Sequence, residues 1–116
     1  MAINFVNDFA TISTSEYSLP ADTITGVPTS QTTDGVYQVL IDFGAMVAGD
    51  QYRIRLYEKT DSGGTQRLVE EWILTNAQSK AMFIIPSVIL GEGWDVTVLR
   101  LAGADRSIRW SLRSIT

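Results

Sequence analysis

The chain has 116 residues, 45% of them hydrophobic and 19% charged, with a net charge of −4 and neither Cys nor His. That length suits one globular domain, and the missing residue types exclude disulfides, thiolate chemistry, His-based triads and His-bound metals. Charge is uneven: residues 1–52 hold six acids and no Lys or Arg, whereas residues 53–116 hold all nine basic residues against seven acids, so one half can attract the other within or between chains.

The N-terminus, Met1 to Asp8, lacks both a basic region and a continuous apolar one, and no apolar run approaches the ~18 residues of a membrane span. Synthesis in a cytoplasm, without a signal peptide and without a membrane partner, is expected. From Thr11 to Thr33 the chain is rich in Ser, Thr, Asn and Asp with Pro20, Gly26 and Pro28, a mixture that favours extended pieces and turns over helix. Ile12, Tyr17 and Leu19 are its anchors. Residues 1–34 read as an extended N-terminal arm and long connection, of the kind that often contacts a partner, and residues 35–116 as the core of one β domain.

Beyond Asp34-Gly35, strand-length runs are broken by turn residues at regular spacing. Tyr37, Val39, Ile41 and Phe43 share one face by period-two alternation. After a turn at Gly44 to Asp50, Tyr52, Ile54 and Leu56 point one way and Arg53, Arg55, Tyr57 and Lys59 the other, a half-buried strand with a basic outer face. Gly63-Gly64 then turns the chain into Gln66 to Thr75, a β-hairpin. Its returning strand is apolar on both faces, as near a sheet centre or an interface. Ala81 to Ile85 is a short strand stopped by Pro86, and Ser87 to Leu90 a brief apolar piece before the turn Gly91-Glu92-Gly93. Trp94, Val96 and Val98 alternate with polar residues. After Ala102-Gly103-Ala104-Asp105 the chain returns with Ile108, Trp110 and Leu112 on one face and Arg109 and Arg113 on the other, a second hairpin. The fold expected is all-β: an antiparallel β-sandwich or jelly-roll-like barrel of about eight strands with an extended N-terminal segment.

Catalytic signals are sparse. Glu70 and Glu71 are strand neighbours and face opposite sides, so they cannot share a substrate. Gly91-Glu92-Gly93 precedes a strand and lacks the spacing of a phosphate-cradling loop. Asp34, Asp42, Asp50, Asp61 and Asp105 sit at turns, without calcium-loop spacing. No catalytic residue, cofactor or metal is assigned. Arg53, Arg55, Tyr57 and Lys59 on one strand, with Arg109 and Arg113 on another, form a basic protein-facing surface if those strands adjoin; nucleic acid is the weaker partner, given the acidic chain and the scarcity of interleaved aromatics.

Several stretches carry a resemblance: Asp34-Gly35-Val36-Tyr37-Gln38, Asp42 through Ala48-Gly49-Asp50, Tyr57-Glu58-Lys59, Gly64-Thr65-Gln66-Arg67, Gly93-Trp94-Asp95-Val96-Thr97 and Arg106 to Arg113. From about Glu16 onward the chain resembles small β-sandwich virion structural proteins of tailed bacteriophages, of the head decoration or cement type. The resemblance implies a non-enzymatic, homo-oligomeric virion component, assembled in the bacterial host cytoplasm, that stabilises the head by contacts with the major capsid protein or other virion proteins. The alternative is a tail or fibre component that binds a host receptor or glycan.

Overall fold

The computed structural model describes residues 3–115. Nine strands run β1 (Ile3–Ile12), β2 (Tyr17–Ser18), β3 (Thr23–Ile24), β4 (Gly35–Asp42), β5 (Gln51–Lys59), β6 (Arg67–Thr75), β7 (Met82–Leu90), β8 (Glu92–Ala102) and β9 (Arg106–Ile115). They form a four-stranded sheet, β1-β9-β4-β7, and a five-stranded sheet, β3-β2-β8-β5-β6, with every pairing antiparallel. With the two-residue β3 set aside, the other eight strands change sheet at every connection except the β5–β6 hairpin. That order is the jelly roll.

The core is made by the inner residues of both sheets. Tyr37, Val39 and Ile41 of β4 and Ile108, Trp110 and Leu112 of β9 face Tyr52, Ile54 and Leu56 of β5 and Trp94, Val96 and Val98 of β8, all buried. Ile12, Tyr17 and Leu19 are buried with them. Aromatic contacts join the sheets: Tyr17 meets Trp110 edge-on at 5.2 Å and Tyr37 lies 4.6 Å from Trp94, spacings at which ring pairs add to simple burial.

Four expectations are corrected. Trp94–Val98 and Ile108–Leu112 are not a hairpin: β8 pairs with β5 and β2, whereas β9 crosses to the other sheet and pairs with β1 and β4. Pro86 does not end a strand, because β7 is a sheet edge and Pro86 faces a register shift of β4 at Gln38, whose Nε2 donates to the Pro86 carbonyl at 3.0 Å; edges and bulges are where a strand tolerates the missing N–H. β6 is an edge and not a central strand: Trp72 and Leu74 pack against the core while Leu68, Val69 and Ile73 are exposed. The N-terminal segment is not a free arm, since β1 lies along the whole of β9. Residues 25–33 fold back on the chain's own edge: Gln31 and Trp94 exchange backbone hydrogen bonds, and the Thr29 N–H donates to Asp95 at 2.7 Å.

One carboxylate ties the crossing connections together at one end of the sandwich. Asp50 accepts from the Val47 N–H at 3.0 Å, the Ala104 N–H at 3.2 Å and Arg106 Nε at 2.8 Å, and its own carbonyl accepts from the Asn76 N–H at 2.7 Å. The Arg106 hydrogen bond, then that of Val47, hold its pKa at about 2, below the ordinary 3.8. A depressed carboxylate pKa contributes stability above the unfolded value that is lost as pH falls through the folded one. The stability difference between the native chain and Asp50→Asn is therefore expected to narrow as pH falls from about 4 to about 2, checked by urea unfolding across that range. Gly103, at φ +87°, approaches so closely that a Cβ there would lie 2.1 Å from Asp50 Oδ1. Gly103→Ala is expected to cost roughly 2–4 kcal/mol in the same measurement.

Candidate protein-docking face

The two outer faces of the sandwich are different surfaces. On the five-stranded sheet several ionic groups are paired within the chain. Arg55 Nε bonds Glu71 at 3.1 Å and Arg53 Nε lies 3.8 Å from the same carboxylate. Tyr57, on the outer side of β5 with Arg53 and Arg55 by alternation, places its hydroxyl in a buried network, where it receives Arg55 Nη1 at 3.3 Å and donates to Glu16 at 2.9 Å. Thr97 Oγ1 donates to the same Glu16 oxygen. Ser18 Oγ donates to Asp95 at 2.7 Å, and burial raises the Asp95 pKa. The aliphatic stem of Lys59 lies over Gly93. The Glu16 and Asp95 networks hold the 25–33 strap and the sheet together, while Arg53 Nε is buried without a hydrogen-bond partner among the described residues.

Arg109 and Arg113 stand apart from that set. β5 and β9 belong to different sheets, so the six basic and aromatic residues expected to share one surface are divided between opposite outer faces. The sequence assigns each residue to a side of its own strand, and only the topology says which strands adjoin.

Around Arg109 and Arg113 the outer face of the four-stranded sheet is laid out in rows. Strand pairing aligns Phe9, Arg109, Asp42 and Met82; then Asn7, Ser111, Leu40 and Ile84; then Phe5, Arg113 and Gln38; then Ile3, Ile115, Val36 and Ile89. Eight large apolar side chains on this face are exposed: Ile3, Phe5, Phe9, Val36, Met82, Ile84, Ile115 and Ile89, the last at 79%. The opposite sheet's exposed apolar residues, Leu68, Val69 and Ile73 of β6 and Leu101 of β8, are fewer and are interrupted by the Arg53–Glu71–Arg55 ion pairs. The exposed apolar side chains thus surround a polar centre of Asn7, Arg109, Ser111, Arg113 and Gln38, and so much exposed apolar area marks a binding surface more than a solvated one.

Geometry within the face is specific. The Arg109 guanidinium sits 4.8 Å over the Phe9 ring and that of Arg113 6.0 Å from the Phe5 ring, within the reach of cation–π attraction. Arg113 also donates to Gln38 at 3.0 Å and to Ser111 at 3.1 Å, which fixes its plane. Arg109 forms no ion pair among the described residues, although Asp42 is its register neighbour; the Asp42 carboxylate is turned to the Gly44 N–H at 2.8 Å. A shallow depression of about 290 Å³ lies between Phe5, Val36, Pro86, Arg113 and Ile115. The exposed Phe5 and Phe9 of β1 are the residues that sequence reasoning missed.

Among the described residues no three of His, Cys, Asp or Glu come together as metal ligands, and the two carboxylates with buried partners, Glu16 and Asp95, are enclosed by the chain itself.

No protein-family model matches the sequence, and no curated protein is similar to it. Two solved structures share the architecture. One is from the Bacillus endospore appendages, a family of disulfide-linked pili, at 13% identity and TM-score 0.52, covering 97% of this chain and 86% of that one. The other is the Yersinia pseudotuberculosis-derived mitogen, at 10% identity and TM-score 0.51, covering 99% of this chain and 88% of that one. At such identities the likeness is one of fold, and it agrees with the two antiparallel sheets described above.

Because Phe5 and Phe9 project from the surface whereas Trp110 is buried, truncations should separate face from core. Phe5→Ala and Phe9→Ala are expected to change unfolding free energy by less than about 1 kcal/mol, and Trp110→Ala to remove roughly 3–5 kcal/mol, as read by urea unfolding followed by circular dichroism.

Proposed function

We propose that this chain is a non-enzymatic structural subunit that docks on another protein through the outer face of its β1-β9-β4-β7 sheet. The observation that carries the reading is the exposed apolar face itself, eight large side chains on one side of a sheet whose interior is already packed. Flat apolar surface surrounding oriented arginines is the composition of an interface core. The partner it fits is apolar opposite β7 and the Ile3–Ile115–Val36 row and presents a carboxylate or carbonyl oxygen to Arg109, which has no ion pair among the described residues.

The setting we propose is a bacteriophage head, with the major capsid protein as partner, on the strength of the motif resemblance from Asp34 to Arg113. A rigid jelly roll repeated by symmetry over a shell gains from many modest contacts. Pilus subunits and a mitogen with the same fold accord with a structural or binding role. Disulfide linkage is closed to this chain, which has no Cys, so any assembly it joins through its own side chains is held by packing and charge. A glycan-binding fibre role finds less support, because Trp94 and Trp110 are core residues and the exposed Phe5 and Phe9 rings carry guanidinium groups where a sugar would stack.

The test is to quantify the chain by mass spectrometry in gradient-purified particles from its source, native and as Arg109→Glu and Ile84→Asp. The expected result is a near-stoichiometric ratio to the shell protein, reduced about tenfold or more in each variant while its circular dichroism is unchanged. Absence of the native chain from particles, or full retention of both variants, would overturn the reading.

A further inference from the structure

The four strand edges of the sandwich are not equally protected. β7 carries Pro86, β6 carries Arg67, Glu70 and Glu71 with a bulge at Val69, and β3 is two residues long. Proline, charge, bulges and shortness are the devices that keep an edge from taking another strand. β1 lacks proline, bulge and shortness, and its charge is sparse. It is ten residues long, contains no Pro, Gly, Lys or Arg, and carries a single charge, Asp8.

Its backbone is also turned the right way. The Phe9 N–H donates to the Asp8 carboxylate at 2.8 Å, so it points away from β9. Because successive residues of a strand face opposite sides, Ile3, Phe5, Asn7, Phe9 and Thr11 present their N–H and C=O groups to the open side, while the even-numbered residues bond β9.

We infer that β1 pairs antiparallel with β1 of a second copy of this chain, about a two-fold axis at Asn7. The sequence Ile3 to Thr11 is self-complementary about that centre. It sets Phe5 of each copy against Phe9 of the other, Ile3 against Thr11, and Val6 against Asp8, so two aromatic cross-strand pairs flank an Asn7–Asn7 pair. A centre at Asp8 would place the two carboxylates opposite each other. A centre at Val6 would place Phe5 opposite Asn7 and lose both aromatic pairs. On pairing, the Phe9 N–H leaves its own Asp8 for the carbonyl of Phe5 in the second copy.

The product is one continuous eight-stranded sheet, β7-β4-β9-β1 followed by the same four strands in reverse order. The axis is perpendicular to the sheet, so both outer faces point the same way. Two copies of the Arg109 and Arg113 surface then lie side by side, and a partner is held bivalently.

The experiment uses the purified full chain without any particle, so its failure and the failure of the docking reading are distinguishable. With no native Cys, single cysteines report cleanly. Directly opposed residues in a hydrogen-bonded antiparallel pair have Cα atoms about 5.5 Å apart, within disulfide reach. Asn7→Cys is expected to form a disulfide dimer about tenfold or more faster than Ser111→Cys, which lies on the same face one strand inward. Light scattering is expected to show a concentration-dependent dimer for the native chain and a monomer for Asn7→Pro, a change that removes an open-side donor and no bond to β9. A native chain that stays monomeric, a dimer that persists in Asn7→Pro, or equal cross-linking of the two cysteines would overturn the inference.

Discussion

The alternation along β9 is the constraint on which both core and surface depend. This strand lies between β1 and β4. It sends Ile108, Trp110 and Leu112 into the sandwich and leaves Arg109, Ser111 and Arg113 outside. A slip of one residue would place two arginines in the core and Trp110 in solvent, so the hydrophobic pattern fixes the register strongly. Trp110 reaches across to Tyr17 of the other sheet. The packing that holds the two sheets together is thus the same packing that orients the two arginines over Phe9 and Phe5.

The molecule divides its polar chemistry unevenly between its faces. On the five-stranded sheet Glu16, Tyr57, Thr97, Arg55, Ser18 and Asp95 are consumed by one another and by the strap that covers them. At one end Asp50 gathers three connections. On the four-stranded sheet the arginines rest on aromatic rings, Arg109 has no carboxylate partner among the described residues, and large apolar side chains face outward. An exposed apolar face on a packed scaffold is the arrangement expected of a subunit whose partner lies elsewhere.

Much of the sandwich is legible in the chain because period two is strong where a strand is covered on one side. β4, β5 and β9 show it, and the Gly63-Gly64 hairpin is local chemistry. The crossing of β8 to β9 is not legible, because Ala102-Gly103-Ala104-Asp105 has the composition of a hairpin turn. What decides against a hairpin is Asp50, more than fifty positions away in sequence, bonding Ala104 and Arg106. The same distance problem hides the docking face. Arg53, Arg55, Tyr57 and Lys59 look like the partners of Arg109 and Arg113 until the sheets are known, and β1, with neither face fully covered, shows too little contrast between its odd and even residues to mark Phe5 and Phe9 as exposed.

The central claim is that the outer face of the four-stranded sheet, and not that of the five-stranded sheet, meets the partner. Hydroxyl-radical footprinting, free and assembled, tests it most directly, since the oxidisable residues on the two faces are distinct. Phe5, Phe9 and Met82 should lose reactivity on assembly while Leu68 and Ile73 of β6 keep theirs. Protection of Leu68 and Ile73 with Phe5, Phe9 and Met82 unchanged would contradict the account.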